Sequence, residues 1–285
     1  MKLHDRSIVI TGAASGIGRA LALRFAGERP RGMVLADLPS QAAALHDLAH
    51  LLGSGSGSDS GSDSGSDSGN GTHAAVAAVA VPCDVGTETG VQAAVAAANA
   101  RFGHVDVFCS NAGIIRDGSE FAPDSEWTLN WQVHVMAHVY AARAVVPGMR
   151  ERGFGYLVNT ASAAGLLTSL PSATYAVSKH AAIAFAEWLA IAHGDAGVRV
   201  SVLCPQAVDT PMIANRAGAA AAANDGVISP AALADCVVAG IEAEQFLILP
   251  HPQVLEYHQR KAGNYDRWLA GMRKFAARLG VKRAI

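Results

Sequence analysis

Tyr175 and Lys179 of this 285-residue chain are spaced for proton transfer. They stand four apart in YAVSKHAAIAFAEWLA, a run whose composition predicts a long helix, so both side chains project from one face. A tyrosine hydroxyl, with a reference pKa of about 10, is a poor base near neutrality. An ammonium alongside favours the phenolate, and the hydroxyl of Ser162, thirteen residues before Tyr175, can hold the same substrate oxygen. Taken alone, such a pair is also an ordinary feature of a helix surface, so its meaning depends on the rest of the chain.

A second group of residues suits a phosphate. TGAASGIG, Thr11 to Gly18, follows a β-branched run and opens a helix, with Gly12, Gly16 and Gly18 flanking Ser15 and Ile17. Glycines there let the backbone turn tightly, let a pyrophosphate approach and present helix N-terminal amides to its charge. Asp37 follows Gly18 by nineteen residues, the separation at which a carboxylate accepts hydrogen bonds from an adenosine ribose. A 2′-phosphate would meet a like charge there, and Ala13, Ala14, Ser15 and Leu38 offer it no cation, so NAD is expected over NADP. Asp84 and Val85 fit an adenine, as acceptor for its amine and as packing surface. Asn111, Ala112 and Gly113 close a later strand at the edge where ligands of open α/β sheets bind.

Elements that position these residues follow from patterning. Short β-branched runs alternate with Ala- and Leu-rich stretches, which predicts an α/β fold with a doubly wound parallel sheet of about seven strands and helices on both faces. The strands are expected at residues 7–11, 32–37, 76–84, 105–110, 155–160, 198–204 and 246–249. One domain spans residues 1–285 in this reading, interrupted by a Gly/Ser/Asp-rich insertion at 53–72 too polar to bury a core. A helical extension covers about 251–285.

Composition excludes several classes of function. Apolar residues make up 51% and charged residues 16%, enough for an ordinary core, and a formal charge of −2 without a basic stripe argues against nucleic acid. His4, Asp5 and Arg6 interrupt any N-terminal signal, and no apolar run approaches the roughly 18 residues of a membrane span, so a cytoplasmic location is expected. Cys83, Cys109, Cys204 and Cys236 show no CxxC pairing and read as buried free thiols. No metal is expected. Asp59, Asp63 and Asp67 lack the period of a calcium-binding repeat, and His134 and His138 lack a third zinc ligand.

The glycine turn, Asp37, Asp84-Val85, Asn111 to Gly113, Ser162 to Gly165 and Tyr175-xxx-Lys179, in this order, resemble the compact single-domain branch of the short-chain dehydrogenase/reductase family from about Ser7 to Met212. That resemblance implies a Rossmann-type fold with Tyr175 as acid/base, Lys179 binding the nicotinamide ribose and Ser162 orienting the substrate oxygen. It also implies Val208 and Thr210 at the nicotinamide, and a homodimer or homotetramer built through the helix after the fourth strand and the Tyr/Lys helix. The chain departs from the family at two positions. His134, seven residues past Trp127, stands where the family commonly has an Asn that helps hold a relay water; the imidazole can hold that water or carry the proton itself, or it is a packing substitution. Gln206 stands where a Gly usually follows Pro205.

The substrate end is less defined. Residues 214–226, a run of small residues in which Arg216 is the only cation, lie where the family places a mobile lid. The composition suggests a weakly anchored helical cover rather than a charge clamp, which favours an uncharged substrate, and Arg216 reads as a solvated lid residue. Tyr257, Tyr265, Trp268 and Phe275 suggest an amphipathic helix or helix pair that closes an active site or caps the fold, with packing and subunit contact favoured. The leading reading is an NAD-dependent oxidoreductase of a secondary alcohol or ketone. An alternative is an NAD-binding regulatory protein with little turnover, for which His134 and Gln206 speak. A sugar-nucleotide epimerase or dehydratase needs a longer C-terminal domain than this chain has.

Overall fold

A computed structural model describes residues 1–55, 74–214 and 222–280. Seven parallel strands form one sheet in the order β3-β2-β1-β4-β5-β6-β7. They are β1 (Ser7–Thr11), β2 (Gly32–Asp37), β3 (Ala78–Pro82), β4 (Val107–Ser110), β5 (Gly155–Thr160), β6 (Val198–Leu203) and β7 (Leu247–Ile248). The order reverses between β1 and β4, which opens a crevice at the carboxyl ends of these two strands.

Strands buried on both faces alternate their side chains between two cores, which is why they read as continuously apolar. Val9, Val34 and Phe108 serve one core with α3 (Glu88–Phe102), α5 (Ala137–Arg152) and α7 (Ala173–His193). Ile8, Leu35 and Val107 serve the other with α1 (Gly16–Ala26), α2 (Ala42–Ser54) and α8 (Pro230–Glu242). Helix α4 (Asp124–Trp131) runs into α5 through a π-helical turn, Gln132–Met136. A four-residue helix, α6 (Ala163–Leu166), precedes α7. Two further helices, α9 (Gln253–Gly263) and α10 (Tyr265–Arg278), follow β7.

The expected insertion starts too early, because α2 continues through Gly53 to Ser54 as its apolar face, Leu45, Leu48 and Leu52, packs on the sheet. Its remainder from residue 56, including Asp59, Asp63 and Asp67, lies outside the described residues, as do 215–221 of the expected lid with Arg216. Strand β3 is also shorter than expected, leaving Cys83, Asp84 and Val85 in the loop that follows it. Of the cysteines, Cys83, Cys109 and Cys204 are buried, but Cys236 is exposed on α8.

Candidate active site

One cavity of about 600 Å³ lies over the carboxyl ends of the strands. At one end the glycine turn lines it. Gly12 and Gly16 adopt φ of +67° and +51°, a left-handed conformation that L side chains rarely take. A Cβ on Gly18 would fall 2.0 Å from the Gly12 carbonyl oxygen, so only glycine lets α1 pack against the turn. Ser15, the N-cap of α1, makes no side-chain capping bond. Asp37 ends β2 on the same wall, where its carboxylate accepts from the Ala14 and Leu38 amides at 3.0 and 2.8 Å. Asp84 accepts from Gly86 N–H at 2.8 Å and lines the cavity beside Val85.

Asn111 couples three strand ends. Its Nδ2 donates to Thr11 O at 3.0 Å, its Oδ1 accepts from Thr160 Oγ1 at 3.2 Å, and its own N–H and that of Ala112 donate to Thr11 Oγ1. With its amide committed to β1 and β5, Asn111 shapes the floor on which Ala112 and Gly113 are exposed to the cavity. Val208 and Thr210 close the opposite side, and Thr210 Cγ2 would lie 3.2 Å from a Cβ on Gly16. A glycine-shaped turn at an uncapped helix N-terminus, an acidic strand end and an apolar neighbour in Val85 fit a dinucleotide.

The catalytic candidates meet on the same cavity. Ser172 caps α7 and accepts from Tyr175 N–H at 3.2 Å, fixing the first turn from which Tyr175 projects. Lys179, one turn on, is fully buried, and its Nζ lies 5.6 Å from the Tyr175 ring centroid while donating to Thr160 O at 3.0 Å. Burial pushes the Lys179 amine down to about 8. Ser162 caps α6, its Oγ accepting from Ala164 N–H at 3.1 Å and donating to Pro205 O at 3.4 Å.

His134 sits inside the π-helical turn, the type of local distortion that recurs at functional sites. Its Nε2 accepts from Ile114 N–H at 3.1 Å, so the proton lies on Nδ1, which donates to Ser178 Oγ at 2.9 Å. The Ser178 hydroxyl passes on to Tyr175 O at 3.1 Å, and the imidazole meets the Tyr175 ring edge-on at 5.4 Å. Burial, reinforced by Lys179, holds His134 well below its usual value. Both nitrogens of a neutral ring are thus occupied. The ring thereby ties the Ile114 loop to the Tyr175 helix. His138, one turn further, is buried with neither ring nitrogen bonded to a described residue, and burial pushes it down to about 3. Among the described residues no three His, Cys, Asp or Glu side chains gather as a metal site requires.

Sequence reasoning missed most of the remaining wall. Gln206 Nε2 donates to Asp225 Oδ2 at 2.9 Å, Tyr257 OH donates to Asp225 Oδ1 at 2.9 Å, and Gln206 N–H donates to His251 Nδ1 at 3.2 Å. Where the family carries a glycine, this chain ties the loop after β6 to α9. Of the roles expected for the C-terminal helices, lining of the cavity is seen: Trp268, Met272 and Phe275 of α10 face it, with α9 anchored beside Ser162's helix. The aromatic spacing was visible in sequence, but nothing local indicated which surface it faces.

Residues 67–220 match the family model described as short chain dehydrogenase. The chain is 35% identical over 255 residues to the 1-deoxy-11-beta-hydroxypentalenate dehydrogenase of Streptomyces exfoliatus, covering 87% of this chain and 84% of that one. Among solved structures, a short chain dehydrogenase/reductase from Burkholderia phymatum in complex with NAD superposes with a TM-score of 0.79 at 27% identity, over 93% of this chain and 96% of that one. L-sorbose reductase from Gluconobacter frateurii, complexed with NADPH and L-sorbose, gives 0.74 at 29% identity, over 87% and 95%.

Proposed function

This chain belongs to the short-chain dehydrogenase/reductase family and is an oxidoreductase of hydroxyl or keto groups, and from that premise we propose that it is an NAD-dependent dehydrogenase of a secondary alcohol with Tyr175 as its acid/base. The observation that carries this reading is the meeting of Ser162, Tyr175 and buried Lys179 on the cavity that also receives the glycine turn and Asp37. The Gly12, Ser15, Gly16, Ile17 and Gly18 turn would hold the pyrophosphate, Asp37 the adenosine ribose, and Asp84 and Val85 the adenine. Bound NAD would supply the hydride acceptor for the carbinol carbon.

Tyr175 takes the hydroxyl proton of the substrate and returns it in the reverse direction. The Lys179 ammonium beside the ring, itself buried and so little screened, would favour the phenolate in that exchange. Among the described residues Lys179 Nζ donates to Thr160 O, and its ammonium has further donors for the nicotinamide ribose. Ser162 Oγ, held in place by Ala164 N–H, orients the substrate oxygen towards Tyr175. NAD is preferred to NADP because Asp37 would face a 2′-phosphate, and the neighbouring wall, Leu38, Asp84 and Val85, carries no cation to offset it.

The NAD-bound relative from Burkholderia phymatum supports the cofactor assignment, and the Gluconobacter frateurii enzyme, complexed with NADPH, marks the contrary case. Exposed Val177, Trp188 and Ile191 on α7 and Leu129 and Trp131 on α4 support assembly into a homodimer or homotetramer through these helices. The decisive experiment follows reduced-nicotinamide absorbance with purified protein, NAD or NADP and a panel of secondary alcohols. Turnover that requires NAD and falls by at least about a thousandfold in Tyr175→Phe, with NAD affinity changed by no more than a few-fold, is expected. A fully active Tyr175→Phe would overturn the mechanism, and NAD binding without turnover on any alcohol would favour the regulatory alternative.

A further inference from the structure

Beyond the residues that match the family model, α9 and α10 carry a wall of the cavity for which nothing so far accounts. Its anchor is Lys261. This lysine is 9% exposed, and its Nζ donates to Leu166 O at 2.7 Å, to Leu167 O at 3.0 Å and to His180 Nε2 at 3.3 Å. His180 Nδ1–H donates to Ala176 O at 2.8 Å, so its Nε2 is free to accept. All three ammonium donors are therefore used. The first two acceptors are the carbonyls that end α6, the helix that begins directly after Ser162, and such carbonyls have no partner within their own helix. Two further contacts fix α9: Tyr257 OH bonds Asp225, and Val254 is fully buried in the core under α7.

Asn264 ends α9 and caps α10, accepting from Arg267 N–H at 2.9 Å. Trp268, Met272 and Phe275, spaced four and three apart, share one face of α10 and are half-buried on the cavity, although α10 has no fully buried residue. Leu167, Met212 and Ile213 line the same cavity from other segments. This apolar face is half-buried along the cavity, where a molecule that enters can cover the rest of it.

We infer that Trp268, Met272 and Phe275 form the specificity wall for the hydrocarbon body of the substrate, which is a bulky, largely apolar cyclic alcohol, and that Lys261 is the positioning residue of this wall. The inference rests on the alcohol-oxidising reading of the site. The exposed part of a tryptophan is a large apolar surface that a bulky ring system can cover, whereas a small acyclic alcohol leaves most of the stripe uncovered. A sugar or polyol would set several hydroxyls against a mainly apolar face, on which the Trp268 indole N–H and Arg278 are the polar groups of α10.

The test compares the bicyclic alcohol 2-decalol with 2-butanol, using the full-length protein. Steady-state kinetics gives the ratio of their kcat/KM values. Calorimetry of 2-decalol with the NADH-saturated enzyme gives binding without chemistry, since neither partner can pass a hydride to the other. Wild type is expected to favour 2-decalol by at least about a hundredfold. Trp268→Ala should lose about tenfold in 2-decalol affinity and kcat/KM, through KM, while 2-butanol turnover stays within about twofold. Lys261→Met should raise the 2-decalol KM similarly, with the kcat for 2-butanol retained. Equal losses on both alcohols in Trp268→Ala, a wild type without preference, or unchanged 2-decalol binding in Trp268→Ala would each overturn the wall. If calorimetry shows the expected loss while no alcohol is oxidised, the wall stands and the alcohol-oxidising reading fails.

Discussion

The two ends of the cavity are built by different means. The nucleotide end is backbone: two left-handed glycines, a third against a carbonyl oxygen, an uncapped helix terminus and a strand-end carboxylate, drawn from β1, α1 and β2. The substrate end is assembled from side chains of distant segments, in which Gln206 and Tyr257 both bond Asp225 and Lys261 bonds Leu166 and Leu167. A backbone cradle has almost no tolerance for change, because a wrong atom there meets an immovable one. A wall of side chains can be rebuilt one residue at a time, which suits the part of an enzyme that must match one substrate rather than a shared cofactor.

This contrast is broken most directly at Gly18. A Cβ placed 2.0 Å from the Gly12 carbonyl must push apart α1 and the turn, and overpacking of this kind costs about 1–3 kcal/mol or more. Gly18→Ala is therefore expected to abolish detectable NAD binding by calorimetry and to lower thermal stability. Binding at the wild-type level would show that the cradle yields as readily as the opposite wall.

The catalytic floor between the two ends can be probed by pH. His138 is held neutral, at about 3 against 6.5 for the free side chain, so the unfolded chain takes up its proton first. Its burial costs no protonation free energy above pH 6.5, and the cost grows progressively as pH falls towards 3. One unit corresponds to about 1.4 kcal/mol, so at pH 5 the cost is about 2 kcal/mol. His134, lowered in the same direction, adds to it. Chemical denaturation of His138→Leu and wild type at pH 8 and pH 5 should show the variant gaining about 2 kcal/mol relative to wild type on acidification. A pH-independent difference would place water or a proton on His138.

The same contrast explains what could be read from the sequence. TGAASGIG, Asp37 and Asn111 to Gly113 were legible because each is a short local pattern at the end of one strand, although Asp37 and Asn111 also bond across to other junctions, and the apolar runs of the strands follow from burial on both faces. The strand order makes those junctions adjacent. The π-helical turn around His134 was not legible, since its register is set by Ile114 N–H and Ser178, twenty and forty-four residues away. Nor was Lys261, which reads as one more cation on an amphipathic helix until Leu166 and Leu167 are placed against it. Contacts between remote segments leave no periodicity, and the substrate end is made almost wholly of them.

Asp37 offers a milder test at the nucleotide end, since it acts through charge and not through space. Asp37→Ala removes the repulsion of a 2′-phosphate together with the ribose acceptor. The ratio of kcat/KM for NAD over NADP should fall by about tenfold, or about 1.4 kcal/mol. An unchanged ratio would mean that the carboxylate serves only the Ala14 and Leu38 amides.

The smallest effect is expected from restoring the family's residue at Gln206. Gln206→Gly deletes the bond to Asp225, but Asp225 keeps Tyr257 OH and Asn224 Nδ2, and the backbone N–H to His251 is untouched. The change also removes Gln206 Oε1, a buried acceptor with no partner among the described residues, and deleting an unsatisfied group offsets part of the lost bond. Added backbone freedom costs roughly 0.5–1 kcal/mol. These terms nearly cancel, so KM for a bulky alcohol should rise by about two- to threefold with kcat unchanged, measured beside Asp225→Ala, which loses three bonds at once and should do more. If Gln206→Gly instead lowered kcat as far as Tyr175→Phe, the loop after β6 would belong with the glycine cradle, and the division between a fixed cofactor end and an adjustable substrate end would have to be redrawn at Pro205.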